Sequence, residues 1–195
     1  VKAALDSLSM QYVDVADAQG RFKEQLLAAP EDGQAWDLII SANENRQGSG
    51  IRGEFFDYFL SHLAQGTAVI IETWQLDGIH GGSAGALLQQ CGVAYQGDLW
   101  NLAYGEQALF PLAPQHPLLK EPNQNILMQN VNPYWKSGDL GDWLEITPGS
   151  SQATLILGSR PTNPRQYATL ATCLEGRMIL QTFSTHQYAQ EAVIP

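Results

Sequence analysis

Basic residues are scarce in this chain. Ten lysines and arginines stand against twenty aspartates and glutamates among 195 residues, a formal net charge of −10. The ten are scattered, with no basic run to match a phosphate backbone or an anionic membrane surface. Nucleic acid and membrane are therefore set aside as main partners. Long apolar stretches are missing too. The longest run, residues 68–71, falls far short of the ~20 residues a transmembrane helix needs, so no membrane insertion is expected. Cysteine occurs only as Cys91 and Cys173, which form no C-x-x-C pair and no framework. Each sits among apolar neighbours and is read as a free, small, buried hydrophobe. The four histidines fall at no metal-ligand spacing with each other or with carboxylates, so no metal site is expected. No phosphate-cradling glycine loop is present, so neither a nucleotide nor any other cofactor is expected.

What is present reads as a globular α/β chain. Hydrophobic residues make up 44% and charged residues 15%, which speaks against disorder. A length of 195 residues suits one domain spanning 1–195. Val1, Ala4, Leu5 and Leu8 recur at helical spacing, and residues 12–15 form a short β-prone run. Residues 21–29 predict a second helix, closed by Pro30. Residues 36–41 (WDLIIS) and 67–74 (TAVIIETW) predict strands of the doubly buried type. Between them, after a polar loop at 43–50, residues 51–65 carry the clearest helical stripe in Phe55, Phe56, Phe59, Leu60 and Leu63. Gly66 follows as a C′ glycine. A glycine-rich loop then leads to a helix over 84–91.

Strands alternating with helices predict an open, doubly wound, mainly parallel sheet with helices on both faces. The later chain changes character. Residues 94 to about 150 are rich in Pro, Asn, Gly and Trp and read as an irregular elaborated segment, with short strands near 109–112 and 126–129. Strands at 153–157, 168–173 and 177–183 follow, the last two around a tight Glu175-Gly176 turn, so a late antiparallel hairpin is expected. A doubly wound sheet opens on a strand, whereas this chain opens on a helix. A first strand is therefore expected upstream of Val1. No signal peptide is visible, which leaves the compartment open for a soluble chain, with the cytoplasm marginally favoured.

The sharpest motif is Gly81-Gly82-Ser83-Ala84-Gly85, a match to G-x-S-x-G. In a serine hydrolase this pattern sits on a strand-to-helix turn and projects the serine hydroxyl. An acid (Asp139 or Asp142) and His186 follow in the order serine, acid, histidine. Yet residues 75–80 separate the motif from its strand, so the preferred reading makes Ser83 the N-cap of the next helix. His80 is read as a loop residue that could line a cleft, His62 as surface, and His116 as a turn residue before Pro117. Asn43, Glu44, Glu72 and Trp74 fall at the predicted C-terminal ends of parallel strands, where open α/β sheets place their ligand crevice. A carboxylate beside an indole there could hold a sugar or another small polar ligand. Alternatively Glu72 pairs with a cation and Trp74 packs inward.

Several segments together resemble the class I glutamine-amidotransferase-like superfamily of flavodoxin-like fold, and within it the ThuA-like and related uncharacterised branches. WDLIIS is similar to the strand opening on their cleft, and FFDYFLSHLAQGTAVIIETW to their helix, glycine turn and central strand. GGSAGALLQQCGV resembles their glycine-led helix, His116-Pro117-Leu118-Leu119 a recurring segment, and LEGRMILQTFSTH the closing hairpin. The serine motif is also similar to the elbow of serine peptidases in the same superfamily. The family's catalytic residues do not carry over. Where working members place a cysteine between glycines after the central strand, this chain has Glu72-Thr73-Trp74-Gln75, and Tyr188 stands where a glutamate would follow the late histidine. The resemblance thus implies a non-catalytic domain acting as a ligand-binding or protein-interaction module, possibly part of a longer protein. Two alternatives stay open: a serine hydrolase using Ser83 and His186, and a carbohydrate-related ThuA-like enzyme using cleft residues Glu72 and His186.

Overall fold

The computed structural model describes residues 1–28, 35–42, 51–100, 107–121, 128–129 and 139–184; at 107, 108, 128, 129 and 139 it describes the backbone alone. Two helices, α1 (Lys2–Ser7) and α2 (Gln19–Leu27), precede the first strand, β1 (Leu38–Ala42). Helix α3 (Glu54–Ala64) then crosses to β2 (Ala68–Glu72), which pairs parallel with β1, Leu38 opposite Ala68 and Ala42 opposite Glu72. The stripe that predicts α3 is the one it buries: Phe55, Phe56, Phe59 and Leu63. Glu54 and Asp57 stand in its first turn, where the helix dipole favours negative charge. Phe22 of α2 stacks on Phe55 at 5.9 Å and approaches Phe59 at 6.2 Å, fastening α2 to α3. Each fully buried side chain of this size contributes roughly 1.5–3 kcal/mol.

Helix α4 (Gly82–Cys91) leads into β3 (Val93–Trp100), and β4 (Gln107–Pro111), β5 (Met128–Gln129) and β6 (Asp139–Ile146) follow. The chain closes with β7 (Ala153–Gly158), β8 (Ala168–Cys173) and β9 (Met178–Gln181). The sheet order is β1-β2-β9-β8-β7-β4-β5, with a β3–β6 ribbon joined through β6 to β8. Strand β9 lies parallel beside β2, so β1, β2 and β9 form the parallel core. The strands from β8 outward pair antiparallel, including the expected β8–β9 hairpin. The architecture is the open, mixed α/β sheet that the sequence implies. Two cores serve it. The larger packs α3 and α4 on Val69, Ile71, Met178 and Leu180 of the parallel strands; the smaller joins Leu99, Leu109, Leu140, Ile156 and Phe183. Among the described residues no helix is long and apolar enough to cross a membrane.

Four expectations change. Cys91 and Cys173 are not free: they form a disulfide, with Cα atoms 5.3 Å apart. They lie 82 residues apart in sequence, and only the fold brings the end of α4 to the end of β8. Residues 12–15 form no strand; the segment is irregular, and Tyr12 and Val13 stay exposed. The segment at 94–150 is less irregular than its composition suggests, because β3 and β6 form an antiparallel ribbon within it. Its register shifts twice, after Tyr95 and after Asp98, which breaks the period-2 signal that would reveal a strand. His62 is buried, and its Nε2–H donates to the Leu26 carbonyl at 2.9 Å. It ties α3 to the end of α2 rather than facing solvent.

Strand β1 borders a groove of about 680 Å³ lined by residues 36–40 and 10–16 together with side chains of α1 and α2. Among the described residues, β1 pairs with β2 alone.

Candidate functional site

The C-terminal ends of the parallel strands meet in one row: Ala42 opposite Glu72, and Glu72 opposite Gln181. This is where open α/β sheets hold ligands. Glu72 is half-buried, and its Oε1 accepts a hydrogen bond from Gln181 Nε2 at 3.1 Å. The same Gln181 nitrogen donates to the Phe183 carbonyl at 3.3 Å. Asn43 and Glu44, which follow β1, and His186, which follows β9, lie outside the described residues. Trp74 is only 3% exposed, so its ring packs in the interior and offers no open stacking face.

Beyond β2 the chain turns through a short 3₁₀ segment, Leu76–Gly78. Asp142, from β6, holds that turn. Its carboxylate is 1% exposed and accepts the Leu76 N–H at 2.7 Å and the Asp77 N–H at 3.3 Å. A buried carboxylate needs such donors to offset its lost hydration. Asp142 is itself fastened to the chain after β9: its N–H donates to the Thr182 carbonyl, and Thr182 Oγ1 donates to its carbonyl, each at 2.7 Å. Gly141 makes this approach possible, since a Cβ there would collide with the Thr182 backbone. The side chain considered as a triad acid therefore pins the turn that follows the central strand. For Asp139, the other candidate, only the backbone in β6 is described.

His80 closes the turn. Its Nδ1 faces the carbonyl oxygens of Leu76 at 2.9 Å and Asp77 at 3.0 Å, so the proton sits on Nδ1. In the neutral ring Nε2 is then the acceptor. The ring stacks on Tyr95 with centroids 4.4 Å apart. Tyr95 donates its hydroxyl to Asp98 Oδ1, and Trp100 Nε1 donates to Asp98 Oδ2 at 3.0 Å. Burial raises the Tyr95 pKa, with the Asp98 hydrogen bond and the carboxylates of Asp98, Asp142 and Asp77 acting in the same direction. Tyr95 therefore stays a neutral donor throughout the physiological range. Trp100 is 51% exposed, and the carboxylate of Asp98 orients its ring.

Ser83 does not cap α4. The N-cap is Gly81, in extended conformation and without a side-chain cap bond, and Ser83 lies inside the first turn. The helix begins two residues earlier than the capping pattern implies, and its first residue, Gly82, takes a positive φ of 58° that glycine adopts without strain. Among the described residues no hydrogen bond joins Ser83 to His80, and a whole turn separates the motif from β2. His116 does act as a turn residue: its Nδ1 accepts the Leu118 N–H at 3.3 Å.

No protein-family model matches the sequence, and no curated protein matches it. Among solved structures, the fold is similar to that of a ThuA-like protein from Bacteroides uniformis, at 13% identity and a TM-score of 0.45. That similarity covers 95% of this chain and 82% of the other, and at this level it assigns neither a family nor an activity.

Gln181 and Asp98 are the site residues that sequence reasoning misses; Tyr95 and Trp100 it reads only as aromatics of the irregular segment, able to form a binding surface or a subdomain core. Tyr95, Asp98 and Trp100 belong to a strand whose bulges hide it. Gln181 is one unremarkable amide until the parallel register sets it beside Glu72.

Proposed function

We propose that this chain is a non-catalytic, amidotransferase-like ligand-binding module whose ligand lies across the strand ends at Glu72 and Gln181. The observation that carries this reading is the Cys91–Cys173 disulfide. The chain has two cysteines, and both are consumed in one buried bond, which leaves no thiolate for the chemistry of working amidotransferases. The chain after β2 supports it as well. Thr73 and Trp74 are buried, and the turn beyond them is clamped by Asp142; a nucleophile elbow would project a side chain there. The ligand expected is small and polar, with a donor for the Glu72 carboxylate, and His80 Nε2 is an acceptor on the turn that follows β2.

The test joins two measurements on the chain. Ammonia release from glutamine is expected to stay at background. Calorimetric titration with a panel of monosaccharides, disaccharides and amino acids at millimolar concentration is expected to find a binder, and Glu72→Gln to weaken it by roughly tenfold or more. Sustained ammonia release, or a panel with no binder, would overturn the reading.

The groove beside β1 supports membership of a longer protein. An edge strand with a groove along it is a place where a further strand pairs. Met10, Tyr12 and Val13, which line the groove, are 41%, 38% and 51% exposed; they are the side chains such a strand would cover.

A further inference from the structure

We infer that this domain folds and works in an oxidising compartment outside the cytoplasm, with Cys91–Cys173 as a permanent structural cross-link. The inference stands independently of the ligand reading. Cys91 is the last residue of α4 and Cys173 the last of β8. Their exposures are 0% and 2%, and both belong to the larger core. Their Cα separation of 5.3 Å lies within the ~4.4–6.8 Å that an unforced bridge requires.

Burial decides between a switch and a staple. Thiol–disulfide exchange needs a thiolate to reach one sulfur in line with the bond. Sulfurs enclosed by α4 and the β8–β9 hairpin deny that approach while the domain is folded. The bond therefore does not cycle, and must form as the chain folds. In that step the two thiols lose two protons and two electrons as the S–S bond closes. The acceptor is a disulfide-bearing thiol oxidant of the export pathway, which leaves as its dithiol. Cytoplasmic reductants keep thiols reduced, so a buried, non-cycling disulfide belongs to a compartment where such an oxidant works.

The experiment starts from living cells of the source organism. They are treated with iodoacetamide before lysis and separated into cytoplasmic and extracytoplasmic fractions, and the chain is digested without reductant for mass spectrometry. The expected result is a linked Cys91–Cys173 peptide pair, unalkylated, in the extracytoplasmic fraction. Two alkylated cysteines would overturn the inference, and so would linked peptides found in the cytoplasmic fraction. On the purified chain, dithiothreitol with heating is expected to lower Tm by on the order of 10 °C. The C91A/C173A double variant is expected to melt at that lower temperature with or without reductant. An oxidised chain whose Tm ignores reductant would also count against the staple.

Discussion

A Cβ on Gly85 would lie 2.7 Å from the His80 carbonyl oxygen, which is backbone and has little freedom to move. The last glycine of the G-x-S-x-G pattern thus lets α4 start tight against the turn that carries His80. Gly82, with its positive φ, sets the direction of the helix. Both glycines are explained by packing and turning, without a nucleophile between them. Gly85→Ala should therefore destabilise the fold by about 1–3 kcal/mol, as overpacking at rigid contacts does, despite the better helix propensity of alanine. Thermal or urea unfolding would show it; unchanged or raised stability would mean that the His80 turn yields freely. The pattern was legible in the sequence. Its meaning was not, because the contact that explains it joins residues five apart in sequence and depends on the short 3₁₀ turn that precedes His80.

The elements differ in how openly the sequence declares them. Helix α3 is declared by five apolar residues on one face, and strands β1 and β2 by short runs of β-branched residues; these need no long-range information. Ribbon β3–β6 is the opposite case. Val93–Trp100 reads VAYQGDLW, and only Val93 and Leu99 in it are buried. Its identity as a strand comes from the partner, Val93 opposite Ile146 and Trp100 opposite Asp139. The ribbon matters because β6 delivers Asp142 to the turn beyond β2. Replacing Asp142 by Asn keeps the shape and one acceptor oxygen, but sets an amide nitrogen against one of the two backbone N–H groups. The expected cost is roughly 1–3 kcal/mol, with faster amide exchange at Leu76 and Asp77. Exchange at those two amides as slow as in the parent chain would show that the carboxylate does not hold the turn.

For the whole molecule, the sheet has a parallel core of three strands at one side and antiparallel strands on the other, and its outermost parallel strand borders the groove. If a further strand pairs there, the amides of Leu38 and Ile40, whose N–H groups face away from β2, should exchange more slowly in a longer chain that supplies it than in the chain of 195 residues. Equal exchange in the two would remove the groove from consideration as a strand site. The disulfide works at the same scale. Closing a loop of 82 residues removes about 4.5 kcal/mol of chain entropy from the unfolded state in the usual entropic account, a large share of a typical domain's stability.

What the sequence by itself determined is the class: an α/β chain with a stripe-bearing helix between two apolar strands, a late hairpin, an excess of acidic over basic residues, and no membrane-crossing helix expected. These follow from local periodicity and composition, which act over one element at a time. What only the tertiary structure decided is who meets whom. It set Gln181 against Glu72 and Asp142 against the Leu76 turn, laid Tyr95 under His80, and joined Cys91 to Cys173. Each of these pairs except Tyr95–His80 joins residues more than sixty positions apart, and Tyr95–His80 meets only through strand β3, which its own sequence hides. No local pattern records such meetings, since they arise from the order in which strands enter the sheet.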